Sequence, residues 1–298
     1  MASPPAAAPS FQVTVHPFSS PTPGACAYEQ GRSSARNALV FLPGLTSGPH
    51  ATDLSALSAM LEQSPDLSFS LWEFRMRSSY SGFGCSSLAN DVEDTAALVR
   101  YLRALGKEKI VLMGASTGCQ DCLEYTDRAK HNTPPVDGYI LTSPVSDRES
   151  AFLFMSDNDL ARSVQVAKDM IEEGRKDDPV PRQALPPIFE APVTAYRWHS
   201  LAAKGGDDDY FSSDLPDSTL AALFGRIDKP VLFLPAGEDE MVPPTVDREA
   251  LLQRWLSFCK TGVTSDLSGF VPGADHVVSK HEAQKWVAER VRAFLERL

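Results

Sequence analysis

The feature that most constrains this chain is the pentapeptide GASTG at residues 114–118, which lies between the apolar run 110–113 and a helix-like stretch. A tight turn from a strand into a helix leaves little room for Cβ atoms, and the glycines two residues before and after Ser116 provide that room. Such a turn exposes the Ser116 hydroxyl beyond the end of the strand. The pattern predicts a nucleophilic serine, but because it is short, its surroundings have to support the prediction.

Short apolar strands alternate with amphipathic helices along most of the chain. Strands are predicted at 38–42, 67–74, 110–113, 139–142, 231–234 and 267–271, and helices between Ser87 and Gly106, at 117–130, at 160–171 and at 282–298. This alternation is typical of a parallel sheet that is covered on both faces. We therefore expect an α/β fold with a mostly parallel central sheet flanked by helices.

A long segment interrupts this alternation. About 90 residues separate the strands 139–142 and 231–234, which is far more than one ordinary connection needs. Ser146, followed three residues later by Glu149, resembles a capping box that begins a helix. We predict a helical cap at 146–225, inserted into a core formed by 1–145 and 226–298.

The later half of the predicted cap is acidic. Residues 204–214 contain one lysine and four aspartates. One interpretation is an acidic wall for a cationic substrate. The other, which we favour, is a solvated loop.

The charge balance limits the class of partner. The net charge of −11 disfavours nucleic acid and anionic membrane surfaces, and it suits a small cationic or neutral ligand. No stretch reaches the roughly 18 apolar residues of a membrane span, and the first ten residues lack the pattern of a secretion signal. Five cysteines, an odd number, do not suggest a disulfide framework. We expect a cytoplasmic protein, and the sequence leaves the oligomeric state open.

Cys119 and Cys122 form a C-x-x-C pair directly after the pentapeptide. A zinc site needs a second pair of ligands nearby in the sequence, and none is found there. Redox chemistry is expected at a different type of strand-helix junction. We interpret both residues as thiols that pack a helix, and we predict neither a metal nor a cofactor.

A serine hydroxyl becomes a good nucleophile when a histidine takes its proton, and that histidine needs a carboxylate beside it. In this architecture the acid and then the histidine follow the serine along the chain. His276 lies in a loop between the predicted strand 267–271 and the last helix, where it can reach Ser116. His281 is expected at the start of that helix and His199 in the cap, so His276 is the preferred base.

The loop after strand 231–234 offers three acids, of which Asp239 is the best candidate. It lies just before Val242 and Pro243, a spacing often seen for the acid of this fold. We expect Glu238 and Glu240 to point elsewhere.

An oxyanion needs backbone N–H donors. The amide of Thr117 begins the helix after the pentapeptide and is one candidate. The loop after strand 38–42 supplies the second, for which Leu45 is preferred and Thr46 comes next.

With these residues placed, the sequence resembles a largely uncharacterised family of fungal α/β-hydrolases that includes an esterase of fusarinine-type siderophores. The matching segments are GLT at 44–46, SSYSGFG at 78–84, STGCQD at 116–121, PVSDRE at 144–149, DDDYFSSD at 207–214, EDE at 238–240, VP at 242–243 and ADH at 274–276. Together they extend from about residue 38 to near the end of the chain. Ala115 departs from the family, which often has histidine there, so the pocket shape is expected to differ.

The resemblance implies an α/β-hydrolase fold, a triad of Ser116, Asp239 and His276, and hydrolysis of carboxylic esters. It also implies a hydroxamate siderophore substrate of the fusarinine C or triacetylfusarinine C type. In a fusarinine-like ester, free ornithine amines would be cationic. Candidate substrate-binding residues in the matching segments are Thr46, Tyr80, Asp209 and Tyr210. Two alternatives stay open: an acyltransferase, lyase or cyclase that keeps the triad, and a non-catalytic ligand receptor.

Overall fold

The computed structural model describes residues 10–298, so the first nine residues of the predicted core lie outside the described part. Seven strands form one sheet: β1 (Thr14–Pro17), β2 (Cys26–Gln30), β3 (Asn37–Leu42), β4 (Phe69–Phe74), β5 (Ile110–Ala115), β6 (Gly138–Thr142) and β7 (Val231–Leu234). Their spatial order is β1-β2-β4-β3-β5-β6-β7. β1 and β2 are antiparallel to their neighbours, whereas β4, β3, β5, β6 and β7 run parallel. The predicted mostly parallel sheet is confirmed.

Ten α-helices accompany the sheet within the described residues. They are α1 (Ser55–Gln63), α2 (Leu88–Ala104), α3 (Thr117–Tyr125), α4 (Arg128–His131), α5 (Asp147–Ser150), α6 (Asp157–Glu172), α7 (Ala195–Ala202), α8 (Asp217–Phe224), α9 (Arg248–Phe258) and α10 (His281–Leu295). None of them is long and apolar enough to cross a membrane.

The sheet separates two hydrophobic cores because successive side chains of a strand point to opposite faces. On β3, Val40 and Leu42 belong to the core that includes side chains of α2, α3 and α9. Leu39 and Phe41 belong to the other core, with side chains of α1 and α10. All six residues of β3 are buried, as expected for a strand covered on both faces.

Two predicted helix starts have the expected caps. The hydroxyl of Ser87 accepts a hydrogen bond from the Asn90 amide at the start of α2. Ser146 accepts from the Glu149 amide at the start of α5, but the carboxylate of Glu149 turns to Ser213 instead of closing the capping box. Only half of the predicted capping box therefore forms.

The predicted helix 117–130 is wrong in its second half. The helix ends at Tyr125, and the short helix α4 begins again at Arg128. The Thr126 hydroxyl donates to the carbonyl of Leu123, and the Asp127 carboxylate caps Lys130. Such local side-chain bonds compete with continued helix, so the chain turns at this point.

The strand predicted at 267–271 is also wrong. The segment runs beside β7 but makes a single isolated bridge, which pairs Ala236 with Val271. The amide of Phe233 donates to the side chain of Ser268, 3.1 Å away, instead of to a backbone carbonyl. A side chain thus replaces one bond of the regular ladder.

The segment between β6 and β7 contains helices α5 to α8. Its earlier part contributes to a third hydrophobic cluster, which includes Ala167 and Met170 of α6, Trp198 of α7 and, from outside the segment, Phe83. Its last part differs, since Leu220 and Phe224 of α8 pack into the core beside α9. The cap boundaries at 146 and 225 stay a prediction.

Candidate active site

Ser116 lies at the sharp turn between β5 and α3. Its φ of 54° and ψ of −123° are uncommon for a residue with a side chain, and the turn has no room for larger neighbours. A Cβ at Gly114 would lie 2.1 Å from the Gly118 carbonyl oxygen, and a Cβ at Gly118 would lie 2.1 Å from that of Leu42. The two glycines therefore allow the backbone to pack closely around the serine.

The structure brings Ser116, His276 and Asp239 together, although they are far apart in the sequence. His276 Nε2 lies 2.9 Å from Ser116 Oγ, and His276 Nδ1 lies 2.9 Å and 3.0 Å from the two carboxylate oxygens of Asp239. The amide of Met241 donates a further hydrogen bond to Asp239. A continuous hydrogen-bonded chain therefore joins the serine hydroxyl to a buried carboxylate.

His276 is held in a partly buried and negatively charged environment. Burial alone would lower the pKa of His276, but the hydrogen bond and charge of Asp239 outweigh it, and the charge of Glu240 adds to them. The pKa is therefore raised above the ordinary value of 6.5. The Glu240 carboxylate also accepts a hydrogen bond from the His276 amide at 2.9 Å, which fixes the loop.

The competing residues lie elsewhere. His281 begins α10 and is exposed, and His199 lies on α7 outside the cavity described below. Glu238 is exposed and pairs with Lys280. Glu240 turns towards the backbone of His276 rather than its ring.

The loop after β3 packs directly against the nucleophile. A Cβ at Gly44 would lie 2.9 Å from the Cβ of Ser116, so only glycine fits there without a shift. Leu45 follows and lines the space in front of Ser116, while Thr117 begins α3 on the other side. Their amides are the candidate oxyanion donors, one from each side of the serine.

A cavity of about 940 Å³ opens over these residues. Phe41, Leu57, Met113, Phe154 and Trp198 contribute to its mostly apolar walls. Both the core and the segment between β6 and β7 supply wall residues. Its volume is near the upper end of the range of about 300–1,000 Å³ that is usual for small-molecule sites.

Part of the rim of this cavity is apolar and exposed. Ile188 and Val277 line it with 55% and 68% of their surface exposed. Phe152 and Leu153 are also exposed and lie next to the lining residue Phe154. Exposed apolar residues around an opening mark a place where an apolar group enters.

Two of the four predicted substrate-binding residues line the cavity. Thr46 and Tyr80 belong to its wall, and the Tyr80 hydroxyl donates to the carbonyl of Pro49. Asp209 and Tyr210 do not line it. Asp209 pairs with Arg148, and the Tyr210 hydroxyl donates to the carboxylate of Glu124.

The acidic segment 204–214 is neither a cavity wall nor a simple solvated loop. Its four aspartates are each paired within the protein: Asp207 with Tyr196, Asp208 with Arg197, Asp209 with Arg148, and Asp214 with Arg148 and Lys204. The aspartates of this segment therefore form ion pairs and hydrogen bonds within the protein.

Sequence reasoning missed several polar residues of the cavity wall, among them Ser143 and Asp147. Asp147 falls within the PVSDRE segment, and Ser143 immediately precedes it. The signal that could have found them is their position directly after β6, because the carboxyl ends of parallel strands form the site in open α/β sheets.

Backbone strain is concentrated around the cavity. Eight described residues other than glycine have a positive φ, and five of them line the cavity: Thr46, Tyr80, Ser116, Ser143 and Val278. This conformation is unfavourable for a residue with a side chain, most of all for a β-branched one such as Val278. Such residues cluster where surrounding structure and function require them.

Cys119 and Cys122 are buried free thiols in the core beside α2 and α3. Burial raises the pKa of both thiols well above the ordinary value. Neither is suited to act as a nucleophile or as a redox group, because both reactions need an accessible thiolate. The sulfur of Cys119 instead lies 3.2 Å from the carbonyl oxygen of Thr142.

Comparisons with known proteins identify relatives of this chain. The chain is 32% identical over 284 residues to the UPF0613 protein of Schizosaccharomyces pombe, a match that covers 88% of this chain and 89% of that one. It is 27% identical to the fusarinine C esterase of Aspergillus fumigatus, with 88% and 89% covered. The solved structure of a siderophore hydrolase from the same species superposes with a TM-score of 0.79 at 27% identity, covering 97% of this chain and 98% of that one.

These relatives match most of the chain, and the solved structure shares the fold described above. The expected α/β-hydrolase fold is confirmed by this superposition and by the sheet topology. The family model for "Protein of unknown function (DUF1749)" matches residues 1–296. The chain belongs to this family of α/β hydrolases, among whose relatives are fungal esterases.

Proposed function

We propose that this protein hydrolyses carboxylic esters through an acyl-enzyme formed on Ser116, with His276 as the base and Asp239 as its carboxylate partner. The observation that carries the proposal is the continuous chain of hydrogen bonds from Ser116 Oγ through the imidazole to Asp239. The relationship to a fusarinine C esterase and a siderophore hydrolase supports the same class of reaction.

Each of these residues has its own role in the reaction. Ser116 Oγ attacks the ester carbonyl carbon while His276 Nε2 takes its proton, and the amides of Leu45 and Thr117 donate to the developing oxyanion. The imidazolium then gives its proton to the departing alcohol, which leaves an ester on Ser116. Water attacks this acyl-enzyme with His276 again as base, and the acid and free serine are released.

The shape of the cavity supports a bulky substrate. About 940 Å³ is far more than a small acetate ester fills, and the apolar walls and rim suit an ester with sizeable apolar parts. Together with the similar proteins, this favours a hydroxamate siderophore ester of the fusarinine type. The segment 146–225 acts as the cap over this substrate, and a cytoplasmic location stays a prediction.

A fluorophosphonate probe tests the nucleophile, because it reacts with an activated serine. We expect covalent labelling of the folded protein at Ser116, located by mass spectrometry of peptides. Ser116→Ala should abolish labelling. Ser279→Ala removes another serine of the cavity wall and should leave labelling unchanged. Absence of labelling in the folded wild-type protein would contradict the proposal.

A panel of esters then tests the reaction and substrate class. Fusarinine C, triacetylfusarinine C and p-nitrophenyl esters of increasing chain length should be hydrolysed, with the siderophore esters giving the highest kcat/KM. Adding alcohol or amine acceptors distinguishes hydrolysis from acyl transfer. Acceptor-dependent formation of new esters or amides in place of free acid would overturn the assignment as a hydrolase.

A further inference from the structure

Apart from the proposed base His276, the charged side chains that line the cavity are acidic. Among the described residues, Asp53, Asp147 and Glu190 contribute to its wall, whereas lysine and arginine do not. Asp53 and Glu190 are exposed at the opening, where water screens them. Asp147 is only partly exposed and lies beside the start of α3.

Asp147 is fixed close to the proposed oxyanion site. Its Oδ2 accepts a hydrogen bond of 2.6 Å from the side-chain amide of Gln120, and its Oδ1 lies 3.5 Å from the hydroxyl of Thr117. The Thr117 amide is a candidate oxyanion donor, so an ionised Asp147 would place negative charge next to the charge that develops during the reaction. That arrangement slows the hydrolysis of a neutral ester unless the charge of Asp147 is compensated.

The protein environment only partly supports a charge at this position. Burial raises the pKa of Asp147 to about 7, and the negative charge of Asp208 adds to the effect. Arg197 and His276 act in the opposite direction and favour the ionised form. A bound cation would add its positive charge to those of Arg197 and His276 and would thereby stabilise ionised Asp147.

A second observation in the same cavity also points to a ligand. Ser143 lies four residues before Asp147 in the segment that leads from β6 to α5, and it is only 2% exposed. Its Oγ has no hydrogen-bond partner among the described residues, and its φ is 46°. Burying an unpaired hydroxyl in a strained backbone costs stability, and a polar group of a ligand in the cavity would satisfy it.

We propose that Asp147 and Ser143 receive an alkylammonium group of the substrate, and that Asp147 thereby sets a preference for cationic over neutral esters. The inference rests on the proposed ester hydrolysis. The ammonium neutralises Asp147 beside the oxyanion site, and Ser143, whose Oγ is covered and has no partner among the described residues, turns its hydroxyl to the ammonium. Asp147 is a specificity-determining residue in this scheme and transfers no proton.

Pairs of esters that differ only in charge test this proposal. In one pair, p-nitrophenyl 6-aminohexanoate is compared with p-nitrophenyl heptanoate, in which a methyl group replaces the ammonium. In the other, a 4-(aminomethyl)phenyl ester is compared with the corresponding 4-ethylphenyl ester, so that the charge lies on the alcohol side. The ratio of the two kcat/KM values at pH 8 measures the preference for the cation.

For at least one pair, we expect Asp147→Asn to lower kcat/KM of the cationic ester by about 10–100-fold, the usual effect of losing one partner of a charged contact. The same variant should raise kcat/KM of the neutral ester, because the charge beside the oxyanion is gone. This opposite change separates recognition from structural damage, which would lower both. Ser143→Ala should reduce the preference to a smaller extent without lowering the melting temperature.

Asp53→Asn and Glu190→Gln are matched controls, since each removes one negative charge from the opening of the same cavity. We expect them to change the preference by less than about twofold, as is usual for exposed charges. An unchanged preference in Asp147→Asn, or an equal loss in the two controls, would overturn the inference. Failure of the proposed function itself looks different, because the wild-type protein would then hydrolyse neither ester and resist the fluorophosphonate.

Discussion

Asp239 and Asp121 are buried to nearly the same degree, with 2% and 3% of their surface exposed, but their surroundings differ. Asp239 accepts hydrogen bonds from the ring of His276 and the amide of Met241. Asp121 Oδ1 has no partner among the described residues. Burial raises the pKa of Asp121 well above its ordinary value, and the charges of Asp91 and Asp208 raise it further.

The region around Asp121 is a cluster of buried charged residues that we call the charge cluster: Asp91 of α2, Asp121 of α3, Arg197 of α7 and Asp208. Arg197 pairs with Asp208, whose carboxylate oxygens both lie 2.8 Å from its Nη1. Burial disfavours the charged forms, and one guanidinium cannot balance these three carboxylates and Asp147 as well, so Asp91 and Asp121 hold protons more tightly. Hydrogen-bond partners and nearby charges, and not burial alone, therefore distinguish these two buried aspartates.

The largest expected effect is a difference in activity between variants of Asp239 and Asp121. Asp239→Asn should lower kcat by about 10⁴-fold, because an amide neither stabilises the imidazolium nor selects the required tautomer. Asp121→Asn keeps the shape of a neutral carboxyl group and should change kcat by less than about threefold, within the range of a minor packing change. Steady-state kinetics with a p-nitrophenyl ester measures both. Similar losses in the two variants would contradict the comparison.

The second largest effect concerns Arg197, the cation of the charge cluster. Arg197→Met removes the partner of Asp208 and should reduce the free energy of unfolding by about 3–5 kcal/mol, since it leaves a buried charge uncompensated. Arg292→Met provides the control, because Arg292 forms an exposed pair with Glu296 within α10 and such pairs contribute about 0.3–0.5 kcal/mol. Urea denaturation measures both values. Equal losses would show that the buried pair has no special role.

A third prediction concerns the pH dependence of activity. The base must be neutral to accept a proton, and the pKa of His276 is raised above 6.5. As the pH is lowered, kcat/KM should therefore fall with a midpoint above pH 6.5, which we call the acid limb. Glu240→Gln removes one of the charges that raise this pKa and should move the limb to lower pH. A wild-type limb at or below pH 6.5 would contradict the described environment.

The smallest effect is on the pH dependence of stability. Burial raises the pKa of Asp91 to about 7, so the folded protein binds this proton more tightly than the unfolded chain does. The resulting stabilisation is complete below the unfolded value of about 4 and is lost as the pH rises to about 7. Asp91→Asn should make the melting temperature fall less between pH 5 and pH 8.

Asp66→Asn, at an exposed position, is the control for this measurement and should leave the difference between the two melting temperatures unchanged. An equal fall in the wild type and in Asp91→Asn would mean that Asp91 does not hold its proton in the folded state.

The sequence was sufficient to predict the parallel strands and the three residues that the structure joins by hydrogen bonds. These predictions depend on local patterns: an apolar run before GASTG, an acid after a strand, and a histidine before the last helix. Glycines 114 and 118 show why such patterns are informative, because close backbone packing at the turn leaves almost no alternative residue.

The missed features depend on contacts between distant segments. β1 and β2 add an antiparallel edge whose strands have weaker apolar patterns, and they were not predicted. The partners of Asp209 and Tyr210 lie on α5 and α3, which no local pattern indicates. Likewise, the importance of Asp147 becomes visible only when the cavity shows which charged groups face it.

The five residues with a positive φ around the cavity have a consequence for attempts to engineer this enzyme. Val278 is a residue type that strongly disfavours its φ of 53°, so Val278→Asn or Val278→Gly is expected to relieve strain there. Screens that score variants by melting temperature alone will therefore tend to select substitutions in the cavity wall. The most heat-resistant variants from such a screen will tend to be the ones that have lost the shape of the site.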